Sequence, residues 1–239
     1  MRYNWNWSIL FEDPYLGWIL SGLGLTVLVS SLAWVIALVL GSLVGIARTV
    51  PVAWVRTLAG FYVEPFRNIP LLVQMFLWFF VLPEIVPEGM GRWLKRDLPY
   101  PEFWTTVIGL GFYTAARVAD QVRAGIESVP KGKTQAGLAS GLTWTQIYRF
   151  ILLPLSYRLM LPPLTSEFLI IYKNSSLGLT IGLLELTAQA RQIEDYTFQG
   201  FEAYITASLL YALITILLLV ATQGLERQLR IPGLIQRGT

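Results

Sequence analysis

Two long stretches of the sequence contain no charged residue. They cover residues 14–47 and 203–225, and both consist mainly of apolar side chains. Because about 20 apolar residues in a helix cross the hydrocarbon core of a bilayer, we predict transmembrane helices over residues 15–47 and 203–225.

Three further regions are apolar but are interrupted by charges or prolines. They give predicted spans over residues 58–83, 103–125 and 153–173, because a soluble fold would leave their apolar surfaces uncovered. The expected fold class is therefore an all-α membrane protein with about five transmembrane helices, forming one domain over residues 1–239.

The segments between these spans alternate in charge. Acidic residues are in excess between the second and third spans and between the fourth and fifth, whereas the other segments are basic. Because basic loops stay in the cytoplasm, we expect the N-terminus outside, the C-terminus in the cytoplasm and an odd number of spans. The basic segments carry Arg48, Arg56, Lys131, Lys133 and Arg149, and the tail carries Glu226, Arg227, Arg230 and Arg237.

The amino-acid composition limits the kinds of catalytic and metal-binding chemistry that the chain can carry out. Hydrophobic residues make up 54% of the chain and charged residues 14%, against about a quarter charged in soluble domains. Histidine and cysteine are absent from the sequence, so the commonest general base, a thiolate nucleophile and the commonest transition-metal ligands are missing. We predict no catalytic residue and no metal site, and the lack of a long basic run gives no support for nucleic-acid binding.

The segment 128–152 is predicted to form two short helices on the cytoplasmic side. Gly141 is suited to end the first helix, and Thr143 with Gln146 three residues on has the spacing of a capping box. Ala136, Gly137 and Ala139 are small and would let another surface approach closely. The segment either docks into a groove on a soluble partner or is a connector lying on the lipid surface.

This segment also carries a family resemblance. Gln135-Ala136-Gly137, followed by Gly141 and by Pro154 after Ile151, resembles the Glu-Ala-Ala loop of permease subunits of ATP-binding-cassette importers for polar amino acids. Gln135 stands where that pattern has Glu, and Gly137 where it has the second Ala. Residues 66–74 and 173–177 resemble further segments of the family, and residues 3–7 and 114–118 look most like glutamate/aspartate importer permeases.

The resemblance implies a multi-subunit importer in the bacterial inner membrane. This multi-pass chain would pair with a second permease subunit, identical or related, and form half of the translocation pathway. Two cytoplasmic ATPase subunits would bind ATP and Mg²⁺, and an extracytoplasmic binding protein would deliver the amino acid to outer loops that include Trp93 and Tyr100. The residues expected to dock the ATPase are Gln135, Ala136, Gly137, Ala139, Gly141 and Leu142.

Charged residues inside the predicted spans are candidates for function, because they must pair or line a polar cavity. Arg117 and Asp120, and likewise Glu64 and Arg67, have a spacing that favours ion pairs along one helix.

Adjacent prolines, Pro162 and Pro163, predict an interrupted helix before Glu167, as at binding sites of transporters. A zwitterionic amino acid needs both an anionic and a cationic partner. The predicted substrate pathway consists of Glu167, Lys173, Asn174, Ser175 and Ser176; the alternative is that Glu167 and Lys173 hold the subunit interface together.

The alternative function is a stand-alone secondary amino acid transporter. Carriers of that class usually contain two related halves, and no internal repeat is evident in this sequence. A membrane-embedded enzyme is disfavoured, since no two carboxylates have an obvious paired spacing within one span.

Overall fold

The computed structural model describes residues 3–229, with side chains described through residue 224. Every regular element in this range is helical and none is a strand, which confirms the all-α class. The side chains of Glu226 and Arg227, and all of Arg230 and Arg237, lie outside the described residues.

The helices follow one another with short connections. Short 3₁₀ turns occur at Trp7–Phe11 and Ser175–Ile181, and π-helical turns occur at Trp93–Asp97 and Tyr148–Leu152. The helices are α1 (Tyr15–Ala47), α2 (Ala53–Asn68), α3 (Leu71–Ile85), α4 (Glu88–Arg92), α5 (Pro101–Glu127), α6 (Lys131–Ala139), α7 (Trp144–Ile147), α8 (Leu153–Asn174), α9 (Leu186–Thr197) and α10 (Gly200–Leu229).

Two helices of the described chain are long and apolar enough to cross a membrane. They are α1 and the part Gly200–Gly224 of α10, and they coincide with the two charge-free stretches. The pair α2 and α3 meets the same criterion if it is counted as one span, which gives three. Helices α5 and α8 match the predicted spans 103–125 and 153–173 in extent, but charges and prolines lower their apolar character. The count of five spans stays a prediction.

The predicted span over residues 58–83 is broken rather than straight. Helices α2 and α3 meet at an angle of 105°, and Ile69 between them is extended. The cause is Pro70, because the residue before a proline is disfavoured in the helical conformation. The side-chain Nε2 of Gln74 donates to the carbonyls of Phe66 and Ile69 at 2.9 and 2.8 Å, which satisfies carbonyls that the break leaves free.

Small residues on α1 bring it into close contact with α5. A Cβ atom added at Gly41 would lie 2.6 Å from the Cβ of Val118, and one added at Gly45 would lie 2.6 Å from the Cβ of Val122. Small residues four apart allow helix backbones to approach closely within a membrane. The close α1–α5 contact therefore requires glycine at both positions, and Ala33 and Ala37 continue the same stripe, fully buried.

Helix α8 continues through its two prolines. The predicted interruption at Pro162 and Pro163 is wrong, because one helix runs from Leu153 to Asn174. Each proline lacks an amide donor and frees a carbonyl four residues earlier, but the chain keeps helical geometry across both. The α-helix ends instead at Asn174, and a 3₁₀ turn begins at Ser175.

A fully buried carboxylate caps α9. The side chain of Glu185 accepts hydrogen bonds from the backbone amides of Thr187 and Ala188 at 3.0 and 2.9 Å, and from the hydroxyl of Tyr211 at 2.6 Å. Burial is the largest influence and raises the pKa of Glu185, while these hydrogen bonds act in the opposite direction. The sequence indicated only that Glu185 belongs to an acidic outer segment.

Candidate functional site

An ion pair with an almost fully buried carboxylate joins α5 to α8. Arg117 donates from Nε to Glu167 Oε2 at 2.7 Å and from Nη2 to Glu167 Oε1 at 2.9 Å. The Glu167 side chain is 5% exposed, whereas that of Arg117 is 38% exposed. Both carboxylate oxygens accept a hydrogen bond from Arg117, while part of the Arg117 side chain remains accessible.

The predicted pairing of Arg117 with Asp120 is wrong. Asp120 instead forms ion pairs with Arg48 at the end of α1 and with Arg67, whose Nη1 lies 2.7 Å from Asp120 Oδ2. The predicted Glu64–Arg67 pair is wrong for the same reason, since Arg67 reaches Asp120. Among the described side chains, the Glu64 carboxylate accepts a hydrogen bond only from Asn68, at 3.4 Å. Contacts between helices replace the pairs that spacing along one helix suggests.

Asp120 therefore connects three helices at one point. Arg48 belongs to the end of α1, Arg67 to the end of α2 and Asp120 to α5. The Arg48 side chain is almost completely buried, whereas that of Arg67 is half exposed. The carboxylate holds the broken α2–α3 pair against the α1–α5 core.

The predicted pathway residues after Glu167 fall into two groups. Lys173 is exposed and Asn174 is half-buried, so both have polar groups that could meet a ligand. The hydroxyl of Ser175 donates to the carbonyl of Tyr172, and that of Ser176 to the carbonyl of Lys173, both at 2.7 Å. These serines contribute to the helix end rather than offering free donors.

Glu167 and Lys173 lie on the same helix but on different faces. Six residues in an α-helix correspond to a rotation of about 240° and a rise of roughly 9 Å. The two side chains therefore do not form a single zwitterion-binding pair on one face of α8. Arg117 is the cation adjacent to Glu167.

Two short helices, α6 and α7, are present within residues 128–152, and these two helices with the turn between them are the helix–turn–helix. Thr143 caps α7 through a capping box with Gln146. The backbone N–H of Gln146 donates to Thr143 Oγ1 at 3.4 Å, and the backbone N–H of Thr143 donates to Gln146 Oε1 at 2.8 Å. Gly141 has φ +80°, a backbone conformation that glycine adopts without steric cost. It ends the turn after α6.

The expected docking residues divide by exposure. Gln135, Ala136, Ala139 and Gly141 are exposed, Leu142 is half-buried and Gly137 is buried. A Cβ atom at Gly137 would lie 2.9 Å from Ile151 Cδ1. Gly137 therefore lets α6 pack closely against the segment that follows α7.

Sequence reasoning missed several residues that the structure makes prominent. Leu138 and Trp144 are apolar, yet their exposed fractions are 43% and 44%, and they lie beside the docking residues. Their position in a polar loop was the sequence feature that could have indicated them. Arg48 and Arg117 acquire their partners from 72 and 50 residues away, and no local spacing indicates those contacts. Within the described side chains, no cluster of acidic residues is suited to hold a metal ion.

An all-helical chain with helices long and apolar enough to cross a bilayer is an integral membrane protein. Residues 37–231 match the family described as the binding-protein-dependent transport system inner membrane component. The chain belongs to this family. It is therefore a transport component rather than an enzyme, and the prediction of an importer permease subunit is confirmed.

Relatives match the chain along its length. The glutamate/aspartate import permease protein GltJ of Escherichia coli (strain K12) is 44% identical over 98% of both chains. The probable glutamine ABC transporter permease protein GlnM of Bacillus subtilis (strain 168) is 35% identical over 94% of this chain and 98% of its own.

Solved structures share the fold. A crystal structure of an amino acid ABC transporter with histidines superposes with a TM-score of 0.80 and 27% identity, over 95% of this chain and 100% of that one. An inward-facing structure of the MetNI methionine ABC transporter gives a TM-score of 0.74 at 20% identity, over 92% of this chain and 100% of that one. The stand-alone secondary transporter is not favoured.

Proposed function

We propose that this chain is a permease subunit of an ATP-driven importer for acidic amino acids, with glutamate and aspartate as substrates. The observation that carries the proposal is the 44% identity with a glutamate/aspartate import permease over 98% of both chains. The buried chemistry is consistent with it, because the accessible side of the Arg117–Glu167 pair is cationic.

The proposed pathway runs past Arg117 and the residues Glu167, Lys173, Asn174, Ser175 and Ser176. An acidic amino acid carries two carboxylates and one ammonium, so it needs more cationic than anionic contacts. Glu167 is neutralised by Arg117, while the exposed part of Arg117 and the exposed Lys173 supply positive charge. In this pathway Glu167 orients Arg117, and the guanidinium contacts the substrate carboxylate.

The proposed ATPase-docking surface is the exposed side of α6 and its turn. Gln135, Ala136, Ala139 and Gly141 supply small or polar contacts, and Leu138 adds an apolar anchor. Gly137 and Leu142 support this surface from beneath. A short helix with an exposed apolar residue fits a groove on a soluble partner.

The proposed assembly contains two permease subunits, two cytoplasmic ATPases that bind ATP and Mg²⁺, and an external binding protein. The chain crosses the bacterial inner membrane five times, with its N-terminus outside and its C-terminus in the cytoplasm. The broken α2–α3 pair is one of the five spans. The exposed Trp93 and Tyr100 face the binding protein.

The experiment is an ATPase assay on the complex that co-purifies with this chain after mild detergent extraction. Turnover should rise when the binding protein is added with glutamate or aspartate, and less with glutamine or arginine. A complex whose ATPase turnover rises only with glutamine or arginine would contradict the proposal that the substrates are acidic amino acids. A chain that purifies without an ATPase would overturn the assembly.

A further inference from the structure

A basic cavity lies where α1, α5 and the helix–turn–helix meet. Its volume is about 620 Å³, and it opens to the surface. Its charged lining consists of the cations Arg48, Arg56, Arg123 and Lys131 and the single anion Glu127. None of the residues named for the pathway or the docking surface lines this cavity.

Two of these cations form ion pairs with described side chains and two do not, although Arg56 Nη1 donates to the carbonyl of Val50 at 3.3 Å. Arg48 binds Asp120, and Arg123 binds Glu127 at 2.8 Å. Arg56 and Lys131 are exposed and make no salt bridge with any side chain of residues 3–224. The cavity therefore has an uncompensated charge of about two, suited to an anionic ligand.

The rest of the lining is suited to an amphiphile rather than a small free anion. Ile126, Val129 and Leu152 give the cavity an apolar wall, and Tyr148 adds a hydroxyl. The cavity is also lined by Arg48, the residue that follows the long apolar helix α1. This is the depth of phospholipid head groups, where basic pockets between helices bind anionic lipids.

We propose that the cavity binds the phosphate head group of an anionic phospholipid, with Arg56 and Lys131 as its charge contacts. The phosphodiester lies between these two side chains, and an acyl chain follows the apolar wall. The bound lipid links the first turn of α2 to the helix–turn–helix. A free phosphate ion offers the same charge but gains nothing from the apolar wall.

The test measures lipid retained by the purified transport complex, using native mass spectrometry with phosphatidylglycerol, phosphatidylethanolamine or inorganic phosphate. The variant is R56Q/K131Q, in which both changed side chains are exposed. The matched control is K133Q/R149Q, which removes the same charge from two exposed residues that do not line the cavity.

We expect the complex to retain phosphatidylglycerol in preference to phosphatidylethanolamine. The R56Q/K131Q variant should weaken this retention about 30-fold, because each basic residue near an anionic lipid contributes roughly 1 kcal/mol and about 1.4 kcal/mol corresponds to a tenfold change in affinity. The control should retain lipid like the unchanged chain. Equal retention of the two lipids, displacement by equimolar inorganic phosphate, or equal loss in variant and control would overturn the proposal. Retention only after the ATPase is removed would identify the cavity as a protein contact instead. None of these results depends on which amino acid is transported.

Discussion

Arg117 on α5 and Glu167 on α8 are joined by two hydrogen bonds, of 2.7 and 2.9 Å, although 50 residues separate them in sequence. The pair connects two helices whose charged residues and prolines make them less apolar than α1 and α10. Glu167 is almost wholly buried, so its charge depends on Arg117 for compensation.

Arg117→Gln should destabilise the fold strongly. Removing one partner of a buried ion pair typically costs about 3–5 kcal/mol, because the other charge stays buried and unpaired. The double variant R117Q/E167Q should be less destabilised than R117Q alone. The measurement is detergent-induced unfolding followed by tryptophan fluorescence. Arg92→Gln, in an exposed pair with Glu88, is the control and should change stability by less than about 1 kcal/mol. A double variant less stable than R117Q would contradict the interpretation.

Gly41→Ala should disturb the contact between α1 and α5. The added methyl group would lie 2.7 Å from the carbonyl oxygen of Ala115, which is backbone and cannot rotate away. We expect a loss of roughly 1–3 kcal/mol from overpacking. Gly24→Ala on the same helix, where no atom lies within 4 Å, is the matched control and should be neutral or slightly stabilising. Equal thermal midpoints for the two variants would show that the helices are not closely packed at Gly41.

Glu185 should make the stability of the region around α9 depend on pH. Burial raises the pKa of its carboxyl in the folded chain, so the folded state holds the proton more tightly than the unfolded state does. The stabilisation from this group is fully present below the ordinary glutamate pKa of about 4.3 and is lost as pH rises through the folded pKa.

The Glu185→Gln side chain keeps an oxygen that can accept hydrogen bonds from the α9 backbone amides, but it cannot ionise. The thermal midpoint of this variant should therefore fall less than that of the unchanged chain as pH rises above roughly 4.3. The comparison is a series of thermal midpoints at different pH values. Parallel curves for the two proteins would contradict the raised pKa.

The membrane orientation can be read with single cysteines, because the sequence contains none. Cysteine placed at Val52 or Ser140 should react only from the cytoplasmic side, and cysteine at Glu88 only from outside; all three positions are exposed. The measurement is labelling with an impermeant maleimide in intact cells and in inverted vesicles. Labelling of Val52 and Glu88 from the same side would show that α2 and α3 form a re-entrant loop.

The sequence predicted the elements whose evidence is local. Helices α1 and α10 follow from uninterrupted apolar stretches, and the Thr143–Gln146 capping box follows from residues three apart. The break between α2 and α3 had a local signal too, since Ile69 precedes Pro70.

The ion pairs could not be predicted, because a charge inside a bundle takes whichever partner packing brings closest. Asp120 has Arg117 three residues away, yet it binds Arg48 and Arg67 from two other helices. Pro162 and Pro163 likewise gave a local signal for a break that the packed helix α8 does not show.

The proposed importer is tested by uptake of labelled glutamate into proteoliposomes that contain the whole complex, with binding protein outside and ATP supplied to the ATPase side. We expect that uptake requires both ATP and binding protein, that unlabelled aspartate inhibits it, and that Arg117→Lys reduces it less than Arg117→Gln does. Uptake that persists without ATP, or that glutamine inhibits and aspartate does not, would contradict the proposal.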